Sequence, residues 1–325
     1  MTLRRDIFGA WWGVLVAGVV GIAAMLVAGC SQIEIQAPHS LPLTKEAQAL
    51  LTKKKMTEKQ PIFVRIFKEE SELEVWKLKD DGRFYHFKTY PICNFSGELG
   101  PKFQQGDRQS PEGFYTVTQK QMNPNSQFHL AFNLGYPNAF DRAHKRTGDA
   151  LMVHGKCKSA GCYAMTDALI EEIYALAREA LVGGQESFQA HAFPFRMTVP
   201  NVARHATHKA APFWATLKDG YDYFETTRQL PTIAVCNKQY LVNAKWKSAT
   251  APRVDPESAC PAYERPPVEA FTPPKEDQQA AVMASGPKMR SLASAQQPTY
   301  GPGTGLATGA WSRPSSSALG FGLNQ

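Results

Sequence analysis

Residues 151–165, LMVHGKCKSAGCYAM, constrain this chain more than any other stretch. A short apolar run ends in His154 and Gly155, gives way to small and polar residues, and turns apolar again at Tyr163, Ala164 and Met165. Such a pattern requires a buried strand, a loop and a return to the interior. The loop carries Ser159, Ala160, Gly161 and Cys162. A thiol is a useful nucleophile only as thiolate, and a nearby imidazole either lowers its pKa or takes its proton. Small residues ahead of Cys162 let a substrate carbonyl approach backbone N–H groups, which would then act as an oxyanion hole. A lone cysteine or histidine is more often a structural group. The two together in one loop favour Cys162 as nucleophile and His154 as base.

A helix directly after the cysteine should pin that loop. Leu169, Ile173, Leu176, Ala177 and Ala180 recur at helical spacing, Thr166 or Asp167 offers a cap, and Gly183-Gly184 ends the helix. Upstream, the folded part starts at Pro61. Residues 62–67 and 72–78 read as strands, and Asp81-Gly82 turns the chain into an aromatic strand over 83–90. Residues 91–113 are rich in Gly and Pro and read as a long ordered loop. Further strands are expected at 114–118, 130–134, 195–200 and 232–242, the last with a turn at Asn237-Lys238. The aromatic patches at 213–217 and 221–227 read as core. Residues 135–149, with Asn138, Asp141, Arg142, His144, Lys145 and Arg146, either line the mouth of a site or form a surface loop.

The ends differ from this body. Arg4 and Arg5 precede an almost wholly apolar run over 7–28, a charged region followed by a hydrophobic one. The run is nearly long enough to span a bilayer, so an uncleaved anchor competes with a signal peptide. Val27-Ala28-Gly29-Cys30 decides for the signal, because it resembles the lipobox of bacterial lipoproteins, in which the cysteine is acylated. Ser31 after it fits outer-membrane sorting. The expected organisation is a signal peptide over 1–29, a tether over 30–60, a catalytic domain over 61–245, an extension over 246–264 and a disordered tail over 265–325. That tail is rich in Pro, Ala, Ser and Gly and cannot bury enough apolar surface to fold.

Export to an oxidising compartment changes the reading of the six cysteines. With Cys30 acylated and Cys162 catalytic, Cys93, Cys157, Cys236 and Cys260 remain. Cys236 with Cys260, close in sequence, and Cys93 with Cys157 make one pairing, though spacing alone leaves connectivity open. A zinc site of Cys157, Cys162 and His154 is a second arrangement, without the paired ligand spacing usual for zinc. The formal charge of +7 is scattered, with Lys53–Lys55 its one tight cluster. A basic exported protein suits an anionic cell wall, and no nucleic-acid motif is present.

These residues resemble a known family. His154-Gly155 with Ser159-x-Gly161-Cys162 is similar to the signature of the L,D-transpeptidase (YkuD-type) catalytic domain, and residues 110–115, SPEGFY, resemble its upstream turn and strand. The YafK-type branch is closer, through Tyr90-Pro-Ile-Cys93 and Asn138-Ala-Phe-Asp-Arg-Ala-His144. Ala160 stands where the broader family has a histidine, which leaves His154 as the local base. The resemblance covers residues 61–242. It implies a mostly β fold with flanking helices (α+β), a β-sandwich of the L,D-transpeptidase type. It also implies a covalent mechanism on peptidoglycan stem peptides, in which Cys162 forms a thioester at diaminopimelate while His154 handles the proton. The Gly161 and Cys162 amides would hold the oxyanion, and Ser159 or the backbone would orient the imidazole. Arg142, His144 and Tyr163 are candidate substrate contacts, and no cofactor or metal is called for. An amine acceptor gives transpeptidation and water gives hydrolysis. Members of the YafK branch are associated with releasing a peptidoglycan-attached lipoprotein, so both outcomes are expected of this site. Two further readings are a non-catalytic lipoprotein that binds the cell wall and a zinc-stabilised binding module.

Overall fold

The structure, a computed structural model, describes residues 36–248 and 254–275. The expected signal segment, the lipidation site Cys30 and the tail beyond 275 lie outside the described residues. Those described belong to one unit, Met1–Lys288.

Helix α1 (Lys45–Lys53) comes first, capped by Thr44, whose hydroxyl accepts from the Ala47 amide at 3.1 Å. Strands β1 (Ile62–Phe67), β2 (Glu72–Leu78) and β3 (Phe84–Pro91) form an antiparallel meander. Strand β4 (Asn94–Phe95) opens the long loop, which ends at β5 (Gly113–Thr118). Then come β6 (Met122–Asn123), β7 (Ala131–Asn133), helix α2 (Ala139–Ala143), β8 (Met152–His154) and β9 (Tyr163–Ala164). Helix α3 (Asp167–Val182), β10 (Ser187–Phe193), α4 (Val199–Arg204) and α5 (Ala211–Thr227) come next. The hairpin β11 (Ile233–Cys236) with β12 (Gln239–Val242) and the pair β13 (Lys245–Trp246) with β14 (Tyr263–Glu264) close the chain.

Two five-stranded sheets, ordered β3-β2-β1-β10-β5 and β4-β9-β8-β7-β6, make a mostly β, α+β fold. Strand β1 shows how the first sheet sits. All six of its residues are buried, which is why it reads as a dense apolar run, broken only by Arg65, rather than an alternating one. Ile62, Val64 and Ile66 join the main core, which also holds Phe132 and Val153 of the second sheet and Ile173, Leu176 and Ala180 of α3. Phe63 and Phe67 face the other way, toward Phe224 and Tyr221 of α5. Helix α3 therefore packs against both sheets, while α5 covers the outer face of the first.

Several expectations change. The segment read as a tether is part of the body from its second half. Leu43, Ala47 and Leu51 lie four residues apart on one face, and with Met56 they enter the main core. Arg178 of α3 also donates to the carbonyls of His39 and Leu41. The tail does not begin at 265, because the Phe271 amide donates to Thr226 O at 2.7 Å and its ring lies 4.3 Å under the Arg83 guanidinium. The strand expected at 195–200 is instead β10, eight residues earlier in its start. Its inward residues are Phe188, Ala190 and Ala192, whose two alanines give a weak strand signal. The two aromatic patches are one helix, α5.

Candidate active site

Strands β8 and β9 run parallel, with Val153 opposite Tyr163 and His154 opposite Ala164. Cys162 stands at the entry to β9, in line with Met152. Continued one step, that register sets Cys162 beside Met152, two residues before His154 on β8, and the Met152 amide donates to Cys162 Sγ. Gly155 closes β8 because nothing larger fits. A Cβ there would lie 2.6 Å from Asp167 Oδ1 and 3.0 Å from Phe128 O. Gly161 sits at φ +131°, in the region that favours glycine. The loop between is held by the Cys93–Cys157 disulfide, by Asp167 accepting from the Lys156 amide at 2.8 Å, and by Cys157 N donating to Met165 O at 3.1 Å. Thr166, rather than Asp167, caps α3. Asp167 is left to anchor the loop.

Cys162 is the one free cysteine among the described residues. Its Sγ accepts from the Met152 amide at 3.4 Å and directs its own hydrogen to Ala150 O at 3.6 Å. Burial pushes the thiol up from its ordinary value, against the Met152 amide and the positive charge of Lys102. Burial likewise pushes the His154 imidazole down, against its bond to the Gly155 carbonyl. That bond, 2.6 Å from Nδ1, fixes the tautomer. A carbonyl can only accept, so Nδ1 carries the hydrogen and Nε2 keeps its lone pair free to take a proton. The Phe128 ring, 42% exposed, lies 4.6 Å from the imidazole and covers it on one side.

The structure redistributes the other candidate roles. Ser159 does not orient the imidazole; its Oγ donates to Cys162 O at 2.7 Å, and the Gly155 backbone holds the ring. The Gly161 amide donates to Ser159 Oγ at 3.3 Å, so in this state it is already engaged and not free for an oxyanion. Tyr163 is fully buried, its hydroxyl on Pro111 O at 2.6 Å, and cannot contact a substrate. Arg142 donates to Pro137 O, and His144 Nε2 donates to Lys238 O at 2.8 Å beside the β11–β12 turn. Neither has a partner in the cysteine loop. The stretch around them is a structural motif, since Asn138 and Asp141 form a capping box for α2 and Asp141 pairs with Arg146 at 2.8 Å. Cys157, joined to Cys93, has no thiolate for a metal, which removes the zinc arrangement. Cys236 and Cys260 form the second disulfide, tying β11 to the C-terminal segment.

Lys102, Phe128 and Ser96 also belong to the site, although no sequence motif singles them out. Lys102 is 3% exposed and paired with Asp107, within the field of the thiol. Nothing in its sequence neighbourhood marks it, because it reaches the site through the fold of the long loop. A cavity of about 500 Å³ lies elsewhere, between Arg83, Tyr223, Asn243 and Glu269.

Comparison with known proteins places the chain in a family. The family model described as the L,D-transpeptidase catalytic domain (YkuD) matches residues 63–184, a span from β1 to the end of α3. The Escherichia coli (strain K12) protein named "Putative L,D-transpeptidase YafK" is 49% identical over 183 residues, covering 56% of this chain and 74% of its own. Among solved structures, the helical cell shape determining protein Pgp2 from Campylobacter jejuni is 20% identical, with a TM-score of 0.34 over 46% of this chain and 55% of that one. Bd1075 of Bdellovibrio bacteriovorus is 22% identical, with a TM-score of 0.30 over 43% and 50%. The chain thus spans about half the length of these two. On the family match and the extent of the Escherichia coli relative, the chain belongs to the YkuD-type L,D-transpeptidase catalytic domain family.

Proposed function

We propose that this protein is a cysteine acyl-transfer enzyme acting on the stem peptides of peptidoglycan. The observation that supports the reading is a free Cys162 thiol at the entry to β9, beside the strand that ends in His154, whose Nδ1 hydrogen on the Gly155 carbonyl leaves Nε2 basic. As the thiol approaches the carbonyl at diaminopimelate, Nε2 of His154 takes its proton. Sγ then bonds to the carbonyl carbon, and the imidazolium returns the proton to the departing amine. A thioester on Cys162 remains. The Cys162 amide is the oxyanion donor in this reading, because the Gly161 amide has Ser159 as partner. The buried positive charge of Lys102 also favours the anionic stages.

The acceptor decides the product. An amine gives a new cross-link or attachment, and water gives hydrolysis, including release of a peptidoglycan-attached lipoprotein. The open setting of Cys162, which remains partly accessible, favours admission of either. The lipobox-like residues 27–30 support attachment through acylated Cys30 to the periplasmic face of the outer membrane. Mass analysis of muropeptides after incubating purified sacculi with the full chain tests the reading. New cross-linked or shortened species are expected with the wild type and none with Cys162→Ala. Identical profiles for the two would refute it.

A further inference from the structure

Three serines from separate segments are wired to one atom, the backbone oxygen of Cys162, two directly and one through a neighbour. Ser159 Oγ donates to it at 2.7 Å and Ser110 Oγ at 3.0 Å. Counting protons fixes every direction in the cluster. Each of those hydroxyls has its single hydrogen on Cys162 O and can only accept elsewhere. Ser110 Oγ accepts from the Ser96 amide at 3.3 Å, and Ser159 Oγ accepts from the Gly161 amide at 3.3 Å. The Ser96 hydroxyl, 3.1 Å from Ser159 Oγ, must therefore be the donor in that contact. Donors run one way, from Ser96 through two hydroxyls onto one carbonyl.

The position of Ser110 is itself set by a buried ion pair. Lys68 and Glu112 are both fully buried and 3.0 Å apart. Lys68 Nζ donates to Ser110 O and to Gly100 O, each at 3.0 Å. Glu112 accepts from the Gly100 amide and from Trp214 Nε1, each at 2.7 Å. The Ser110 amide in turn donates to Ser96 O at 3.0 Å. A buried pair is costly to desolvate, and apolar side chains of similar size would hold the loop about as well. What the charges add here is direction, because their remaining bonds fix the backbone on which Ser110 stands.

We propose that Ser96 and Ser110 are positioning residues for the nucleophile, acting with Ser159 through the Cys162 carbonyl. The proposal rests on the reading of Cys162 as nucleophile. Fixing the peptide after Cys162 fixes the direction of its Cα–Cβ bond and hence where Sγ meets a substrate. Two O–H donors on the carbonyl also offset its negative end in the residue that carries the sulfur, which favours the thiolate formed during attack. Neither serine touches substrate.

The test uses the full chain with Ser110→Ala, Ser96→Ala and Ser96→Thr, the last keeping the hydroxyl at a half-buried position. Two readouts are taken on protein shown to be folded by its melting temperature. One is kcat and KM on muropeptides; the other is the rate of Cys162 alkylation by iodoacetamide across pH, which needs no substrate. Ser110→Ala should lower kcat about tenfold, the worth of one ordinary hydrogen bond, with KM within about twofold. Its alkylation profile should move to higher pH. Ser96→Ala should change both in the same sense and Ser96→Thr should restore both. Unchanged kcat and an unchanged alkylation profile in both alanine variants would overturn the proposal, as would losses confined to KM or to the folded fraction. If the wild type turns over no muropeptide yet the alkylation profile moves as stated, the positioning role stands and the peptidoglycan reading falls.

Discussion

Burial favours the neutral form of both Cys162 and His154, raising the thiol and lowering the imidazole. The sequence of the loop allows either a lowered thiol pKa or proton removal by the base, and the directions of both shifts favour the second. This has a pH signature. The base works while neutral, and its folded pKa lies below 6.5, so kcat/KM should hold down to a pH below that of an ordinary histidine and fall only under it. Alkylation of the isolated thiol should still be rising at pH 9, the ordinary thiol value. A plateau in alkylation near neutral pH would mean a resting ion pair instead. The candidate nucleophile and base were visible in the sequence because they lie eight residues apart, with a glycine after the histidine. Tyr163, Arg142 and His144 have partners in the structure outside the cysteine loop. Residue type suggested substrate contact, but Tyr163 turns inward on β9, and the other two serve α2 and the β11–β12 turn.

At the scale of elements, the loop between β8 and β9 depends on supports drawn from far along the chain. The Cys93–Cys157 bridge spans 64 residues and joins this loop to β4, which pairs with β9. The chain-entropy account gives such a bridge about 4 kcal/mol. The Cys93→Ala/Cys157→Ala double variant should lose about that much in denaturant unfolding and turn over substrate more slowly, while an unchanged midpoint would show that the bridge adds nothing. Element identity was legible where a local pattern matched a local cause. The β2–β3 hairpin came from Asp81-Gly82, and α3 from its apolar spacing and its Gly183 end. Strand β10 escaped because alanines occupy its inward positions. The helical stretch at α1 was legible but read as part of a tether, because its few apolar residues gain meaning only from the core they meet.

For the whole molecule, the face of the first sheet under α5 holds charge rather than only aromatic rings. Arg65 and Glu74, each 2% exposed, pair at 2.8 Å, and Arg196 reaches Glu72 and Glu74. Burial opposes the Glu74 carboxylate, yet Arg65 and Arg196 hold its pKa at about 2. On the same sheet, burial pushes His86 down to about 4 and His191 well below its ordinary value. The unfolded chain binds protons at these histidines near pH 6.5 while the folded chain does not, so stability falls as pH drops below that value. The His86 contribution is lost between about pH 6.5 and 4, and that of Glu74 between 4.5 and about 2. Melting temperature should therefore decline steadily on acidification from pH 7 to 4, and a flat profile over that range would contradict the burial of His86 and His191. None of this charge network is legible in the sequence, since its members come from β1, β2, β3, β10 and the segment after β10 and meet only in three dimensions.

The central claim is that Cys162 carries the acyl group, and intact-protein mass measurement tests it most directly. After brief incubation with a diaminopimelate-containing stem peptide, the wild type should gain the mass of the acyl fragment. Peptide mapping should place it on Cys162, hydroxylamine should remove it, and Cys162→Ala should gain nothing. An adduct on another residue, or peptide turnover by Cys162→Ala, would contradict the account.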